Sequence, residues 1–297
     1  MHLNPLTTKL VGYITFEPET TLHIGIGEWG VRREIMRIGE GKAVIPASSW
    51  KGAFRQIGEN IAKTQTFCGL EMIAVKSYVE GERGITYDIN DSKLVEDFIK
   101  ALKGESGFFE LTHEDLTKLL QKLDYNQAEI NILVEDSKKA KAALANIIAL
   151  YCPIGKLFGN TVIAGKLRFL DTIFQYKPHL KPGVGIDRSS GTVKENQLYF
   201  LEAASIDSNI ILKLIADNLE PQTSDSKLFA ATLKYIEKVG LQLGARKSTG
   251  MGSLRMAGAE FYFVELTKDS GGSGLANPFK YGNKMNLQQL LSYLGFD

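Results

Sequence analysis

The chain has 297 residues, of which 44% are hydrophobic, and a formal net charge of +1 at pH 7. This length and composition allow one elaborate domain or two modest domains with a sizeable core. The near-neutral charge excludes a polycationic chain, so any nucleic-acid site must come from local clusters of lysine and arginine.

The cysteine content and the N-terminus bear on the cellular compartment. Two cysteines, Cys68 and Cys152, exclude a disulfide scaffold and favour a reducing environment. The N-terminus lacks the basic and apolar segments of a signal peptide, and no apolar run approaches the ~20 residues of a membrane helix. We therefore expect a soluble, cytoplasmic protein without a membrane partner.

The first 65 residues combine strand and helix patterns. Apolar and polar residues alternate from Leu10 to Phe16 and again near Leu22 to Ile24, which predicts β structure. The segments "REIMRI" and "KAVIPA" meet at "GEGK", which predicts a hairpin. A helix is predicted from "SSWKGAFRQIGENIAK", with Ser48 or Ser49 as its N-cap.

The rest of the chain changes character twice. Residues 66–150 carry helical patterns and few strand signals, which predicts a helical insertion or lid between two core parts, residues 1–65 and 151–265. Strand, loop, strand, helix and strand patterns then follow, and residues 266–297 are predicted to form a linker and a C-terminal helix. This order predicts an α+β fold with a split ferredoxin-like βαβ core.

A long stretch within residues 176–197, "KPHLKPGVGIDRSSGTVKENQ", is rich in glycine, proline, serine and charge. Such a loop is usually functional or mobile. His179 lies in it and could be a general acid or base, or an exposed or packing residue. His23 in "TTLHIGIG" also has two possible positions, because the strand register decides whether it is buried or faces a ligand.

The Gly-rich segment "GARKSTGMGSLRM", residues 244–256, contains three glycines and three basic residues. It lacks the spacing of a phosphate-binding P-loop, and it follows a helix instead of preceding one. Its exposed backbone N–H groups, with Arg246, Lys247 and Ser248, suit phosphate oxygens. The alternative is a hairpin turn with solvated charges.

A second basic segment, "IPASSWKGAFR", lies at the start of the first predicted helix. Free N–H groups and the helix dipole favour anions there, and the serines, Lys51 and Arg55 share that end of the helix. The alternative is an ordinary capped helix with a solvated basic face.

Other functional signals are weaker. The cysteines form no CxxC pair and the four histidines are scattered, so no metal site is predicted. The aromatic strands "LYFLEA" and "FYFVEL" are typical either of a base-stacking platform or of a core.

Taken in order, these segments resemble the RAMP superfamily of CRISPR-associated proteins, and in particular the repeated backbone subunit of type III effector complexes. The resemblance is carried by "TLHIGIGE" (21–28), "VIPASSWKGAFR" (44–55), "CPIGKLFGN" (152–160), "PGVGIDRSSGTVKENQLYFLE" (182–202) and "GARKSTGMGSLRM" (244–256). Ala47 stands where glycine is usual in the second segment.

The resemblance implies a modified RRM-like core whose copies stack in a helical filament along CRISPR RNA, with target RNA and other effector subunits as further partners. It also implies a thumb-like hairpin that separates the guide–target duplex. The RNA-binding residues that we expect are Ser48, Ser49, Lys51, Arg55, Arg246, Lys247 and Ser248, together with His23 and Arg188.

In such subunits, target cleavage depends on an aspartate between the first-strand exit and the "IPGSS"-like element. Here that span, "GIGEWGVRREIMRIGEGKA", contains no aspartate, and Arg32 falls nearest the expected place. Glu28 and Glu34 are the candidate catalytic residues. We expect a binding subunit that needs no cofactor, with Mg²⁺ or Mn²⁺ required only if it cuts RNA.

Two other functions remain open. The first is a RAMP endoribonuclease that processes CRISPR precursor RNA, with His23 or His179 as general acid or base. The second is an α+β protein whose glycines serve only turns.

Overall fold

The computed structural model describes residues 5–25, 32–82, 84–187, 189–266 and 272–296, without the side chains of residues 32, 33 and 194–198. The chain divides into two compact units. One contains Met1–Leu6, Gly58–Leu167 and Gln222–Phe229, and the other contains Thr7–Ile57, Arg168–Pro221 and Ala230–Asp297.

The elements alternate between strand-rich and helical stretches. In chain order they are β1 (Thr8–Pro18), β2 (Arg32–Arg33), β3 (Lys42–Ile45), α1 (Ala47–Ala62), α2 (Gly69–Glu80), α3 (Ser92–Leu102), α4 (His113–Lys122), α5 (Gln127–Leu133), α6 (Ser137–Tyr151), α7 (Pro153–Phe158), β4 (Leu167–Phe169), β5 (Thr172–Gln175), β6 (Lys177–Ile186), β7 (Val193–Ser205), β8 (Ile210–Asp217), α8 (Ser224–Val239), β9 (Leu241–Gln242), β10 (Ser253–Glu265), α9 (Ser273–Ala276), α10 (Pro278–Tyr281), β11 (Asn283–Asn286) and α11 (Leu287–Leu294).

Four strands form a ferredoxin-like sheet. Their order is β10-β1-β8-β4, and β1 is antiparallel to both β10 and β8. Along the chain, α1 follows β1 and precedes β4, whereas α8 connects β8 to β10. Two βαβ halves that interleave in this way are the split βαβ arrangement. The predicted α+β class with a ferredoxin-like core is confirmed.

The core of this sheet follows from the alternation in β1. Leu10, Ile14 and Phe16 lie on one face and are fully buried. Helix α1 covers that face, because the Trp50 ring stacks on Phe16 with 5.4 Å between centroids. The indole Nε1 of Trp50 donates a hydrogen bond to Thr172 Oγ1 at 3.1 Å, so its polar atom is also satisfied.

The start of α1 corrects the predicted cap. The helix begins at Ala47, so Ser48 and Ser49 lie within its first turn and neither is the N-cap. The carboxylate of Asp171 accepts a hydrogen bond from the Ala47 N–H at 2.7 Å. A side chain distant in sequence thus satisfies the N–H group that a local serine was expected to bind.

The predicted hairpin at "GEGK" is confirmed. The Ile38 N–H donates to Lys42 O at 3.0 Å, and the Val44 N–H donates to Met36 O at 3.1 Å. Gly39 supplies a left-handed residue at the turn, with φ of 80°.

The stretch within residues 176–197 forms most of a long hairpin instead of an irregular loop. Strands β6 and β7 pair antiparallel from Lys177↔Ser205 to Ile186↔Val193. Proline is compatible with β6 because that strand lies at the edge of the sheet β2-β7-β6. At the tip, the carboxylate of Asp187 accepts hydrogen bonds from the N–H groups of Ser189 and Ser190. A hydrogen bond from the Ser189 hydroxyl is the main reason why the pKa of Asp187 is lowered, and the two N–H bonds add to this effect.

The C-terminal residues differ from the predicted linker and helix. Residues 272–286 form α9, α10 and β11, and β11 extends the main sheet by pairing with β10. Asn277 caps α10 by accepting from the Lys280 N–H, and Pro278 occupies its first turn. The Gly- and Ser-rich composition concealed this local capping signal. The predicted helix is α11.

The other unit is helical. The segment predicted to be helical, residues 66–150, contains α2–α5 and nearly all of α6, and its role as a lid stays a prediction. Thr112 and Asp115 form a capping box at α4, as "THED" predicts. Both cysteines are free, with Cys68 exposed and Cys152 buried. Within the described residues, no helix is long and apolar enough to cross a membrane.

Candidate nucleic-acid interface

The residues that follow β1 form backbone hydrogen bonds both to the β6–β7 hairpin and to the Gly-rich segment. On one side, Leu22 and Ala204 exchange backbone hydrogen bonds of 3.0 and 2.7 Å. On the other side, the Ala245 N–H donates to His23 O and the Gly252 N–H donates to Thr21 O, both at 2.9 Å. Three segments that the sequence analysis singled out separately are therefore held together by backbone hydrogen bonds.

Two of the three glycines in the Gly-rich segment are required by packing within the protein. Gly244 has φ of 84°, and a Cβ there would overlap the carbonyl oxygen of His23. Gly252 has φ of 79°, and a Cβ there would overlap the carbonyl oxygen of Leu243. Gly250 also has positive φ, but no described atom lies within 4 Å of its Cβ position. Only Gly250 therefore borders open space.

Two of the three basic residues of this segment, Arg246 and Lys247, lie at the start of a single 3-10 turn, and the third, Arg255, lies on β10. Arg246 adopts a left-handed conformation, and its guanidinium lies 4.9 Å from the centre of the Tyr199 ring on β7. The Lys247 Nζ donates a hydrogen bond to Gln56 Oε1 on α1 at 3.2 Å. The Gly-rich segment therefore contacts α1 one residue beyond the other predicted basic segment, and Ser248 is exposed.

The basic residues of α1 are partly exposed. Ser48 is exposed, whereas Ser49, Lys51 and Arg55 are half-buried. Burial lowers the pKa of Lys51, and the neighbouring positive charge of Arg55 lowers it further. Among the residues that the structure describes, none gives Lys51 a carboxylate partner, so an approaching anion would relieve this repulsion.

Tyr199 also borders a cleft of about 230 Å³, which Arg246, Lys181 and Thr249 line as well. Gly183 pairs with Tyr199 across the hairpin, and a Cβ on Gly183 would overlap the tyrosine ring. The absence of a side chain at Gly183 therefore lets the ring lie across the hairpin, where it contacts Arg246.

The buried side chain of Glu202, on β7, contacts the segment between β2 and β3. Its side chain is 1% exposed, and both carboxylate oxygens accept from Arg37 Nη2, at 2.6 and 2.5 Å. The Ile35 N–H also donates to Glu202 Oε2 at 3.4 Å. The Glu202 hydrogen bond is the main reason why the pKa of Arg37 is raised. This pair was not predicted from the sequence, although an acidic residue within the apolar "LYFLEAA" is a usable signal.

The two histidines have different surroundings. His23 is 5% exposed, and its Nδ1 lies 2.7 Å from the Glu202 carbonyl oxygen. Of its two predicted positions, buried or facing a ligand, the structure has the buried one, which leaves the ring little room to contact RNA. His179 is exposed on β6.

The candidate catalytic residues are only partly described. Glu34 follows β2, which pairs parallel to β7 at Arg32↔Phe200, and its side chain is half-buried. Glu28 and Arg188 lie outside the described residues. Within the described part of the chain, no three side chains of the metal-binding types cluster as ligands.

The protein has a ferredoxin-like α+β fold, and its Gly-rich segment contacts both α1 and the residues that follow β1. Positive charge gathered on one surface in this way is suited to a polyanion. A family model of the RAMP superfamily matches residues 15–255, which is more than half of the chain. The chain therefore belongs to the RAMP superfamily, whose membership indicates a CRISPR-associated role in RNA binding. No curated protein gives a significant match.

Proposed function

We propose that the chain is a CRISPR RNA-binding backbone subunit of a type III interference complex and that it holds guide RNA by its sugar-phosphate backbone. The observation that carries the proposal is the contact between Lys247 and Gln56, since it brings the two basic segments side by side. Lysine, arginine, hydroxyl and backbone N–H groups bind phosphate whatever the base sequence.

The hairpin of β6 and β7 supports the same proposal. Leu180, Val184 and Ile186 alternate along β6 and are all exposed, which gives the hairpin an apolar face. Apolar side chains can enter between base steps and unstack them. We propose that this hairpin contacts the duplex of guide and target RNA. We further propose cytoplasmic assembly with other copies of the chain and other effector subunits.

The proposal is tested by Lys51→Ala combined with Lys247→Ala. Each lost phosphate contact to a single strand reduces the magnitude of the slope of log affinity against log salt by about 0.7. The double variant should therefore bind single-stranded RNA more weakly, and the magnitude of its slope should fall by about 1.4. Fluorescence anisotropy over a range of salt concentrations measures both quantities, and the weakening should be the same for different RNA sequences.

The matched control is Lys76→Ala combined with Lys118→Ala, which removes the same charge from exposed positions on α2 and α4. Its RNA affinity should stay close to that of the wild type. An equal effect of both double variants would mean that total charge, and not the proposed surface, determines affinity.

We propose that this subunit binds RNA without a cofactor and does not cut target RNA. The test incubates the protein with target RNA in Mg²⁺, Mn²⁺ or chelator, using the wild type and Glu34→Ala. We expect intact RNA in every sample and unchanged binding with chelator. Cleavage that requires the metal and is lost on Glu34→Ala would contradict a pure binding role.

The alternative, processing of CRISPR precursor RNA, has the exposed His179 in its favour, because an accessible imidazole can act as a general acid or base. Precursor cleavage in the presence of chelator, abolished by His179→Ala, would establish this function in place of the binding role.

A further inference from the structure

The ferredoxin-like sheet has a second face that α1 does not cover. Leu10, Ile14 and Phe16 point to the α1 side, so the alternate residues of β1, including Tyr13, point to the other side. Tyr13 pairs with Lys213 on β8, and Val11 pairs with Tyr262 on β10. Residues opposite each other in an antiparallel pair share a face, so these side chains lie together.

Three aromatic rings meet on this face. The Phe279 ring, on α10, lies 5.1 Å from the Tyr262 ring in an edge-on arrangement and 6.2 Å from the Tyr13 ring. Phe279 is 49% exposed, and Tyr13 and Tyr262 are half-buried. We call Tyr13, Tyr262 and Phe279 the sheet-face cluster. It includes the tyrosine of "FYFVEL", whose flanking phenylalanines are buried in the core.

Lysines border the sheet-face cluster. Lys213 Nζ lies 5.7 Å from the centre of the Tyr13 ring, and Lys284 Nζ lies 5.9 Å from the centre of the Tyr262 ring. Lys284 also forms an ion pair with Glu260 at 2.5 Å. Within the described residues, Lys213 has no carboxylate partner. The surface therefore combines aromatic rings with positive charge that the neighbouring acids do not fully balance.

We propose that the sheet-face cluster binds unpaired bases of single-stranded RNA. Aromatic rings on a sheet stack on bases, while lysines beside them reach the phosphates that connect those bases. The bordering positive charge argues for a polyanion as the occupant, since a protein partner would need only the apolar rings. The inference rests on the RNA-binding role proposed above and adds a second contact, on the face of the sheet opposite α1.

The ring contacts of the sheet-face cluster and the phosphate contacts of Lys51 and Lys247 differ in their dependence on salt. Phosphate binding weakens steeply as salt rises, whereas stacking on an aromatic ring is governed by the base itself. A stacking surface should also favour adenine over uracil, because modest base preferences in such proteins come from stacking strength. These two properties separate the sheet-face cluster from the surface of Lys51 and Lys247.

The test is Tyr262→Leu combined with Phe279→Leu, which keeps apolar volume but removes two ring faces. Anisotropy titrations with short oligoadenylate and oligouridylate should show about tenfold weaker binding of oligoadenylate, a smaller loss for oligouridylate and an unchanged salt slope. Tyr235→Leu, at an exposed tyrosine on α8, is the matched control and should bind both RNAs normally. Thermal unfolding checks that each variant is folded.

If the double variant is unfolded, Lys213→Gln and photo-crosslinking of wild type to thiouridine-labelled RNA replace it. Reduced affinity for Lys213→Gln, with crosslinks in the peptides of Tyr13, Tyr262 or Phe279, supports the proposal. Wild-type affinity in the sheet-face variants, while Lys51→Ala with Lys247→Ala loses binding, overturns this inference and leaves the proposed function standing. Loss of self-association without loss of RNA binding also overturns it, because a protein surface would then occupy the face.

Discussion

Glu202 is an acidic residue within the buried part of the β6–β7 hairpin, and Arg37 is the cation that pairs with it. The Glu202 side chain is 1% exposed, and its carboxylate accepts two hydrogen bonds from Arg37, whose side chain is 39% exposed. A buried carboxylate without its partner is costly, because it loses hydration and gains nothing in return. Arg37 therefore holds the segment before β3 against β7.

We predict that Arg37→Leu lowers the free energy of unfolding by about 2–3 kcal/mol, because it leaves Glu202 buried and unpaired. Urea denaturation followed by circular dichroism measures this change. Adding Glu202→Gln to Arg37→Leu should recover part of the loss, since the neutral amide removes the buried charge.

The control for this prediction is Arg255→Leu. Arg255 pairs with Glu17, but both side chains are more than half exposed, so the cost should stay below about 1 kcal/mol. Equal losses for Arg37→Leu and Arg255→Leu would show that burial of Glu202 does not determine the energy of its ion pair.

Among the elements, the Gly-rich segment shows how glycines of similar φ can have different functions. Gly244 lies against the carbonyl oxygen of His23, whereas Gly250 borders open space. From the sequence, this segment was expected either to bind phosphate through exposed backbone N–H groups or to form a hairpin turn. The structure gives Gly244 and Gly252 an internal role and leaves only Gly250 with room for a ligand.

We predict that Gly244→Ala lowers the free energy of unfolding by more than about 2 kcal/mol, because left-handed strain adds to the overlap with His23. Gly250→Ala should cost only about 1 kcal/mol, since φ of 81° is its single penalty. Urea denaturation of the two variants gives the comparison. Equal costs would mean that the contact between Gly244 and the β1 exit relaxes freely.

The β6–β7 hairpin shows the limit of composition as a guide to an element. Pro178, Pro182 and Gly183 indicated a loop, yet all three occupy a regular strand. Proline is acceptable there because β6 is the outermost strand of its sheet among the described residues, and glycine is needed because the Tyr199 ring crosses it. Neither the outer position of β6 nor the contact between Gly183 and the Tyr199 ring can be identified from the local sequence.

At the scale of the whole molecule, the family is known and the mode of assembly is a proposal. A backbone subunit that stacks along RNA occupies a fixed length of it, so longer RNA should bind more copies. A processing enzyme binds a specific site, and its copy number should not depend on RNA length.

We predict that the number of copies per RNA rises stepwise with RNA length and that Lys51→Ala with Lys247→Ala reduces occupancy at every length. Sedimentation velocity or mass photometry with RNAs of increasing length measures this. A single copy on RNAs of all lengths would contradict the filament and favour the processing role. Duplex RNA of the same length serves as the control for binding by charge alone.

The sequence by itself determined the α+β class, the hairpin at "GEGK", α1, α8 and the ordered motifs of the superfamily. It could do so because these features depend on periodicity and turn residues over short stretches, as in the buried alternation of Leu10, Ile14 and Phe16. It also selected Lys51 and Lys247 as candidates, since basic residues beside glycine or a helix start are visible in the sequence.

Only the tertiary structure decided which residues meet. Asp171 caps α1 from 124 residues away, Lys247 reaches Gln56, and Glu202 on β7 pairs with Arg37 in the segment before β3. The backbone pairing of Leu22 with Ala204 brings His23 against Glu202, and the packing of α10 places Phe279 beside Tyr262 on the other face of the sheet. These contacts depend on how distant segments pack, and no local pattern specifies that packing.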